Sequence, residues 1–113
     1  MLSRVNRLAK TKDIERVFKS GVSFQKDCLV LRAAKNNLGK IRLVFIVSKK
    51  VSKKASQRNL FKRRLSEIVR QKLPKLKKSF DIILLAKPGP ETPNSAELEK
   101  SVDSLFSKAK LFI

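Results

Sequence analysis

The sequence predicts an α/β (α+β) two-layer sandwich: a small mixed sheet with a long basic helix packed across it, in the order α-β-β-α-β-α. Three observations carry that prediction. Apolar runs of strand length occur at Cys28–Ala34, Ile41–Val47 and Asp81–Ala86. Segments with helical spacing precede the first run, separate the second from the third, and follow the third. The 113 residues, 42% of them apolar and including seven Phe, suffice for one packed core and not for two. Residues 1–113 are therefore expected to form one domain whose helices and sheet cover each other.

Met1 to Lys10 carries Arg4, Arg7 and Lys10 without periodicity and reads as an extended basic arm. Thr11 is the expected N-cap of a first helix, with Asp13 in its first turn, an apolar face of Ile14, Val17 and Phe18, and Gly21 at its end. Phe18 reads either as a core residue or as a ring at the edge of a basic cleft, where a base can stack. Val22-Ser-Phe24 either forms an edge strand or extends the run that follows. Cys28–Ala34 and Ile41–Val47, separated by the turn residues Asn36-Asn-Leu-Gly39, read as an antiparallel hairpin. Cys28 fits as a small buried hydrophobe. After the central helix, Pro74 and Lys75-Leu-Lys-Lys78 break the pattern. Asp81–Ala86 is a strand of the kind buried on both faces. A helix separates it from Ile41–Val47, so the two should run parallel as a βαβ unit. Lys87 to Pro93 is a loop by composition. Asn94 with Glu97 resembles a capping box, and Leu98, Val102, Leu105, Phe106 and Ala109 give the apolar spacing of a last helix.

The stretch from Lys49 to Lys78 holds thirteen Lys/Arg against one acid, Glu67, which is nearly half of the chain's 28 basic residues. At roughly 100° per residue, Phe61, Leu65, Ile68 and Val69 share a stripe that should face the core. Asn59, Lys62, Arg63, Ser66 and Arg70 fall on the adjoining arc. One helix thus offers a packing face and, beside it, a face of donors. Lys53, Lys54 and Arg58 crowd its start, where the macrodipole disfavours cations by about 0.3–1 kcal/mol each at low salt. Cations set against the dipole, around free backbone N–H groups, suit a bound phosphate.

A formal charge of +19 self-repels without counter-anions and points to nucleic acid first and an anionic membrane second. The membrane reading is weak, because the central helix needs its apolar stripe for the core. No apolar run approaches the about 18–20 residues of a span, and the N-terminus has no signal-type apolar region, so a cytoplasmic location is expected. One cysteine and no histidine exclude a zinc finger, a Cys–His nucleophile pair and a histidine base. The nine carboxylates are scattered singly, without the cluster of a two-metal nuclease site. No catalytic or metal-binding residue is expected in the protein; any chemistry falls to a partner.

At Val44-Phe-Ile-Val-Ser-Lys-Lys50, followed by Arg58-Asn-Leu-Phe-Lys-Arg63, the chain resembles the protein subunit of bacterial ribonuclease P. That family's signature is a strand ending in a Ser-Lys-Lys corner, then a helix with Arg-Asn-x-x-Lys-Arg. The likeness extends from Arg7-Leu8 through Val17-Phe-Lys-Ser-Gly21 to Leu105-Phe106. It implies the sandwich fold seen in the second domain of a small-subunit ribosomal protein. It also implies a role in tRNA 5′ maturation: binding the catalytic RNA subunit and the single-stranded 5′ leader of precursor tRNA, while Mg²⁺ bound mainly by the RNA serves the endonucleolytic step. Carried over, Lys49, Lys50, Arg58, Asn59, Lys62, Arg63 and Arg70 bind RNA. Arg7, Phe18 and Phe24 border a leader cleft between the first helix and the sheet. The family motif carries a further Arg where this chain has Ser66, and cleft aromatics are partly replaced, with Ile14 and Leu31 at the equivalent places. The implied partners are the RNA subunit and precursor tRNA, with no DNA and no membrane. The alternative is a ribosomal-type structural RNA-binding protein without a processing role, which shares the charge and the small α/β core.

Overall fold

A strand that is apolar on both faces has to lie inside a sheet, and this requirement decides the topology. The computed structural model describes residues 6–88 and 94–113. Its elements are α1 (Thr11–Ser20), β1 (Val22–Lys26), β2 (Leu29–Lys35), β3 (Arg42–Ile46), α2 (Ala55–Lys72), β4 (Phe80–Ala86) and α3 (Ser95–Lys108). The strands form one sheet in the order β1-β2-β4-β3. Ile82, Ile83 and Leu84 of β4 have no exposed surface, and β4 takes the inside position between antiparallel β2 and parallel β3. The hairpin expected of Cys28–Ala34 with Ile41–Val47 is therefore not formed: β2 and β3 flank β4 and do not pair with each other. The turn at 36–39 spans the end of β4, where Asn36 N–H donates to the Ser79 carbonyl at 2.8 Å. The expected parallel unit of β3, α2 and β4 is present. Val22-Ser-Phe24 belongs to β1, an edge strand antiparallel to β2 with Phe24 opposite Leu31.

Alternation along the strands sorts the side chains into two cores. On one face Leu29, Leu31, Leu43, Ile82 and Leu84 meet the Phe61, Leu65, Ile68 and Val69 stripe of α2 and the apolar side of α3. On the other, Ala34 and Ile83 join Val17 of α1 and Leu8 of the arm, with Ile14, Val44 and Ile46 at the margin. The stripe predicted for α2 is buried, as are Leu98, Val102, Leu105 and Phe106 of α3; of the face predicted for α1, Val17 is buried and Ile14 partly so, while Phe18 is exposed.

The arm is tied down before α1 begins. Arg7 forms a bridge with Leu43, Leu8 N–H donates to the Leu43 carbonyl at 2.8 Å, and Leu8 is buried. Arg4 and the rest of residues 1–5 lie outside the described residues. Thr11 is the first helical residue and not the cap; extended Lys10 stands at the cap position and makes no side-chain capping bond. Gly21 ends α1 as expected, but without a left-handed turn, since its φ is −79°. It is required because a Cβ there would lie 2.5 Å from the Val17 carbonyl oxygen and 2.8 Å from that of Ala33. Asn94 caps α3, its Oδ1 accepting from Glu97 N–H at 2.9 Å. The loop expected from Lys87 to Pro93 is described only at Lys87 and Pro88, and Lys87 N–H donates to the Cys28 carbonyl at 2.7 Å. Cys28 is half-buried against the larger core, and that burial raises its thiol pKa.

Candidate nucleic-acid interface

α2 starts without an acid in its first turn, and Lys54 at its cap makes no side-chain bond. The positive end of its dipole is left uncompensated. Lys49 and Lys50 are exposed in the turn that leads from β3 to the helix, and Asn59, Lys62, Arg63 and Arg70 are exposed along it. Lys49, Lys50, Asn59, Lys62 and Arg63 have no side-chain partner among the described residues, which leaves their donors to an outside acceptor. Arg58 and Arg70 differ. Half-buried Arg58 donates from Nη1 to the carbonyls of Ser52 at 2.9 Å and Lys53 at 3.0 Å, fixing the turn at the helix start. Arg70 pairs with Glu67 at 2.8 Å in an exposed i, i+3 contact of the kind worth little. Ser66 departs furthest from the predicted donor arc: it is only 4% exposed and lies in the lining of the groove beside that arc.

Between this donor row, the outer edge of β3 and the arm lies a groove of about 510 Å³. Leu8, Leu43 and Phe45 line its apolar part, and Arg7, Asn59, Lys62 and Arg63 its polar part. Arg7 thus stands with the α2 donors and not, as the carry-over implied, beside Phe18, because its bridge to Leu43 fixes it at the β3 edge.

On the α1 side of the sheet, Phe18 is 37% exposed. The guanidinium carbon of Arg32, from β2, lies 5.2 Å from the Phe18 ring centroid, and Nη2 donates to the Phe18 carbonyl at 2.7 Å. This is a cation–π contact, well inside the distance at which such pairs attract. Arg32 Nε is buried without an acceptor among the described residues. Phe18 is therefore an open ring backed by a cation. Leu31 was placed here by equivalence, yet it points to the opposite face and is fully buried. Phe24, opposite Leu31, packs on that same α2/α3 core, so the sheet itself separates it from Phe18. Arg32 is the residue that sequence reasoning missed. The signal was available, since a lone Arg interrupts the apolar run Leu29–Ala34.

α1 is held to the sheet by a buried carboxylate. Asp81 accepts from Arg42 Nε at 2.8 Å, Arg42 Nη2 at 2.7 Å and Asn36 Nδ2 at 2.8 Å, and from Arg16 Nη2 on α1. Arg16 also donates to the Lys35 carbonyl at 2.9 Å, and Arg42 reaches Asp13 of α1 at 3.2 Å. Burial would raise the Asp81 pKa, but the hydrogen bonds from Arg42 and Asn36 and the charges of Arg42 and Arg16 outweigh it and hold the carboxyl below its ordinary range. The same pairing with Asp81 raises the Arg42 pKa against its burial. Among the described residues no group of three or more His, Cys, Asp or Glu is placed to hold a metal ion.

Fold and surface together define a small, strongly basic α/β protein whose long helix exposes a row of cations and an amide beside its buried stripe. The family profile described as Ribonuclease P matches residues 2–110. The chain is 36% identical over 112 residues to the "Ribonuclease P protein component" of Pseudanabaena sp., covering 98% of this chain and 97% of that one. It is 38% identical over 106 residues to the same component of Dehalococcoides mccartyi, covering 94% and 86%. Among solved structures it is similar to the RNase P protein of Staphylococcus aureus, with TM-score 0.87, 27% identity and 96% and 98% coverage. It is likewise similar to that of Thermotoga maritima, with TM-score 0.80, 28% identity and 90% and 96% coverage. The chain belongs to the ribonuclease P protein family. Membership makes it part of an endoribonuclease assembly with an RNA partner.

Proposed function

We propose that the chain is the protein component of ribonuclease P, binding the catalytic RNA through α2 and the 5′ leader of precursor tRNA beside α1. It thereby promotes endonucleolytic removal of the leader. Cleavage belongs to the RNA subunit, with Mg²⁺ held mainly by that RNA, and the protein supplies position and charge in the cytoplasm. The observation that carries this reading is the row Asn59, Lys62 and Arg63, exposed on the helix whose neighbouring stripe is locked into the core. A rigid helix that presents unspent cations and an amide is suited to the phosphates and 2′-hydroxyls of a structured RNA. Phe18 with Arg32 behind it offers a stacking surface for a single-stranded base.

Reconstitution tests the reading. The purified chain combined with a bacterial ribonuclease P RNA at low Mg²⁺ should cut precursor tRNA at the mature 5′ end faster than the RNA alone, and the protein alone should cut nothing. Site-specific cleavage by the protein alone, or no effect on the RNA's rate, would overturn it.

A further inference from the structure

The outer edge of β3 is only partly covered. Leu8 N–H takes the Leu43 carbonyl, and residues two apart in a strand direct their backbone groups to the same side. Phe45 therefore turns its N–H and C=O to that side as well, where no described residue takes them. They open into the groove whose other wall is Asn59, Lys62 and Arg63. β3 ends at Ile46, so the open edge is one donor and one acceptor long, too short for an added peptide strand. It matches the adjacent donor and acceptor on the hydrogen-bonding edge of a nucleobase. Apolar walls suit the faces of a base, and the cations suit the phosphates on either side of it. The volume of about 510 Å³ falls within the roughly 300–1,000 Å³ of small-ligand sites.

We propose that this groove seats one unstacked nucleotide of the RNA partner, its base between the β3 edge and α2, its edge read by the Phe45 backbone and its phosphates held by Lys62 and Arg63. The assignment rests on the RNA-binding reading of α2 and adds a base-reading element to it. The helix alone grips backbone; the groove supplies sequence or conformational preference at one position.

The test titrates the ¹⁵N-labelled full chain with the four nucleoside 5′-monophosphates and, separately, with ribose 5-phosphate, following the Phe45 amide. At least one nucleotide should move that amide, saturating at about tenfold lower concentration than ribose 5-phosphate. Ala9→Trp, at an exposed position in the groove lining, fills the site without changing charge and should weaken the nucleotide response about tenfold. Asn59→Leu, on the facing wall, should do the same, and each variant's amide spectrum reports its fold. Equal movement by ribose 5-phosphate reduces the groove to a phosphate site and overturns the proposal, as does a Phe45 amide that no nucleotide moves. Binding of the same wild-type sample to a ribonuclease P RNA shows separately that the α2 reading stands or falls.

Discussion

Arg42 of β3 and Asp81 of β4 face each other across the parallel ladder and share two hydrogen bonds, Nε to Oδ1 at 2.8 Å and Nη2 to Oδ2 at 2.7 Å. The pair is the hub through which α1 is fastened to the sheet, since Arg16 and Asp13 of that helix join it. Asp81→Ala leaves largely buried Arg42 without its main acceptor and should cost about 3–5 kcal/mol. The cost should appear as a lower urea midpoint with an unchanged slope. A loss under about 1 kcal/mol would mean that apolar packing alone holds α1.

The same carboxylate sets an acid limit. Its folded pKa lies below the ordinary carboxylate value of about 3.9. A group held down on folding contributes stability above its unfolded pKa and loses it as pH falls through the folded one. Stability should be nearly level from neutrality to about pH 5 and fall below about pH 4, and Asp81→Asn should show a shallower fall. An equally steep acid limb in that variant would assign the effect to other carboxylates.

How far the sequence disclosed this molecule depends on which interactions are local. The α2 stripe and the α3 cap follow from spacing along one helix, and both are where periodicity puts them. β2 and β3 are neighbours in the chain but do not pair, because the two-sided apolar character of Ile82–Leu84 requires neighbours on both edges of β4. Neighbours along a strand lie on opposite faces, so Arg32 and not Leu31 reaches the α1 side of the sheet. The Arg16–Asp81 contact spans 65 positions, and nothing in local spacing marks it.

Lys62 and Arg63 separate binding from folding. Both are exposed and off the buried stripe, so each alanine variant should keep its stability within about 0.5 kcal/mol. Each lost phosphate contact should reduce the magnitude of the log–log salt slope for RNA binding by about 0.7–0.9. A large drop in melting temperature with an unchanged slope would assign the residue to the fold.

Ser66 is an informative departure from the family motif. At 4% exposure Ser66 sits in the lining of the groove, so an added cation would enter the groove beside apolar Leu8, Leu43 and Phe45 and not project from the helix. Ser66→Arg should therefore destabilise the fold by about 1–3 kcal/mol and leave the salt slope unchanged. A steeper slope at unchanged stability would show that this turn faces RNA.

Phe18 and Arg32 give the substrate-side test. The Phe18 ring is too exposed to be a main core element, and Arg32 both stacks on it and bonds its carbonyl. If a leader base stacks on the open face, Phe18→Ala should weaken precursor-tRNA binding by the assembled ribonucleoprotein by about 1–3 kcal/mol. Mature tRNA, which lacks a leader, should bind as before. Arg32→Ala removes the cation behind the ring and should cost less, about 0.5–1 kcal/mol. The double variant should lose less than the sum of the two, because once the ring is gone the cation has nothing to orient. Equal losses for precursor and mature tRNA, or full additivity, would place the pair outside the leader's path and return Phe18 to a packing role.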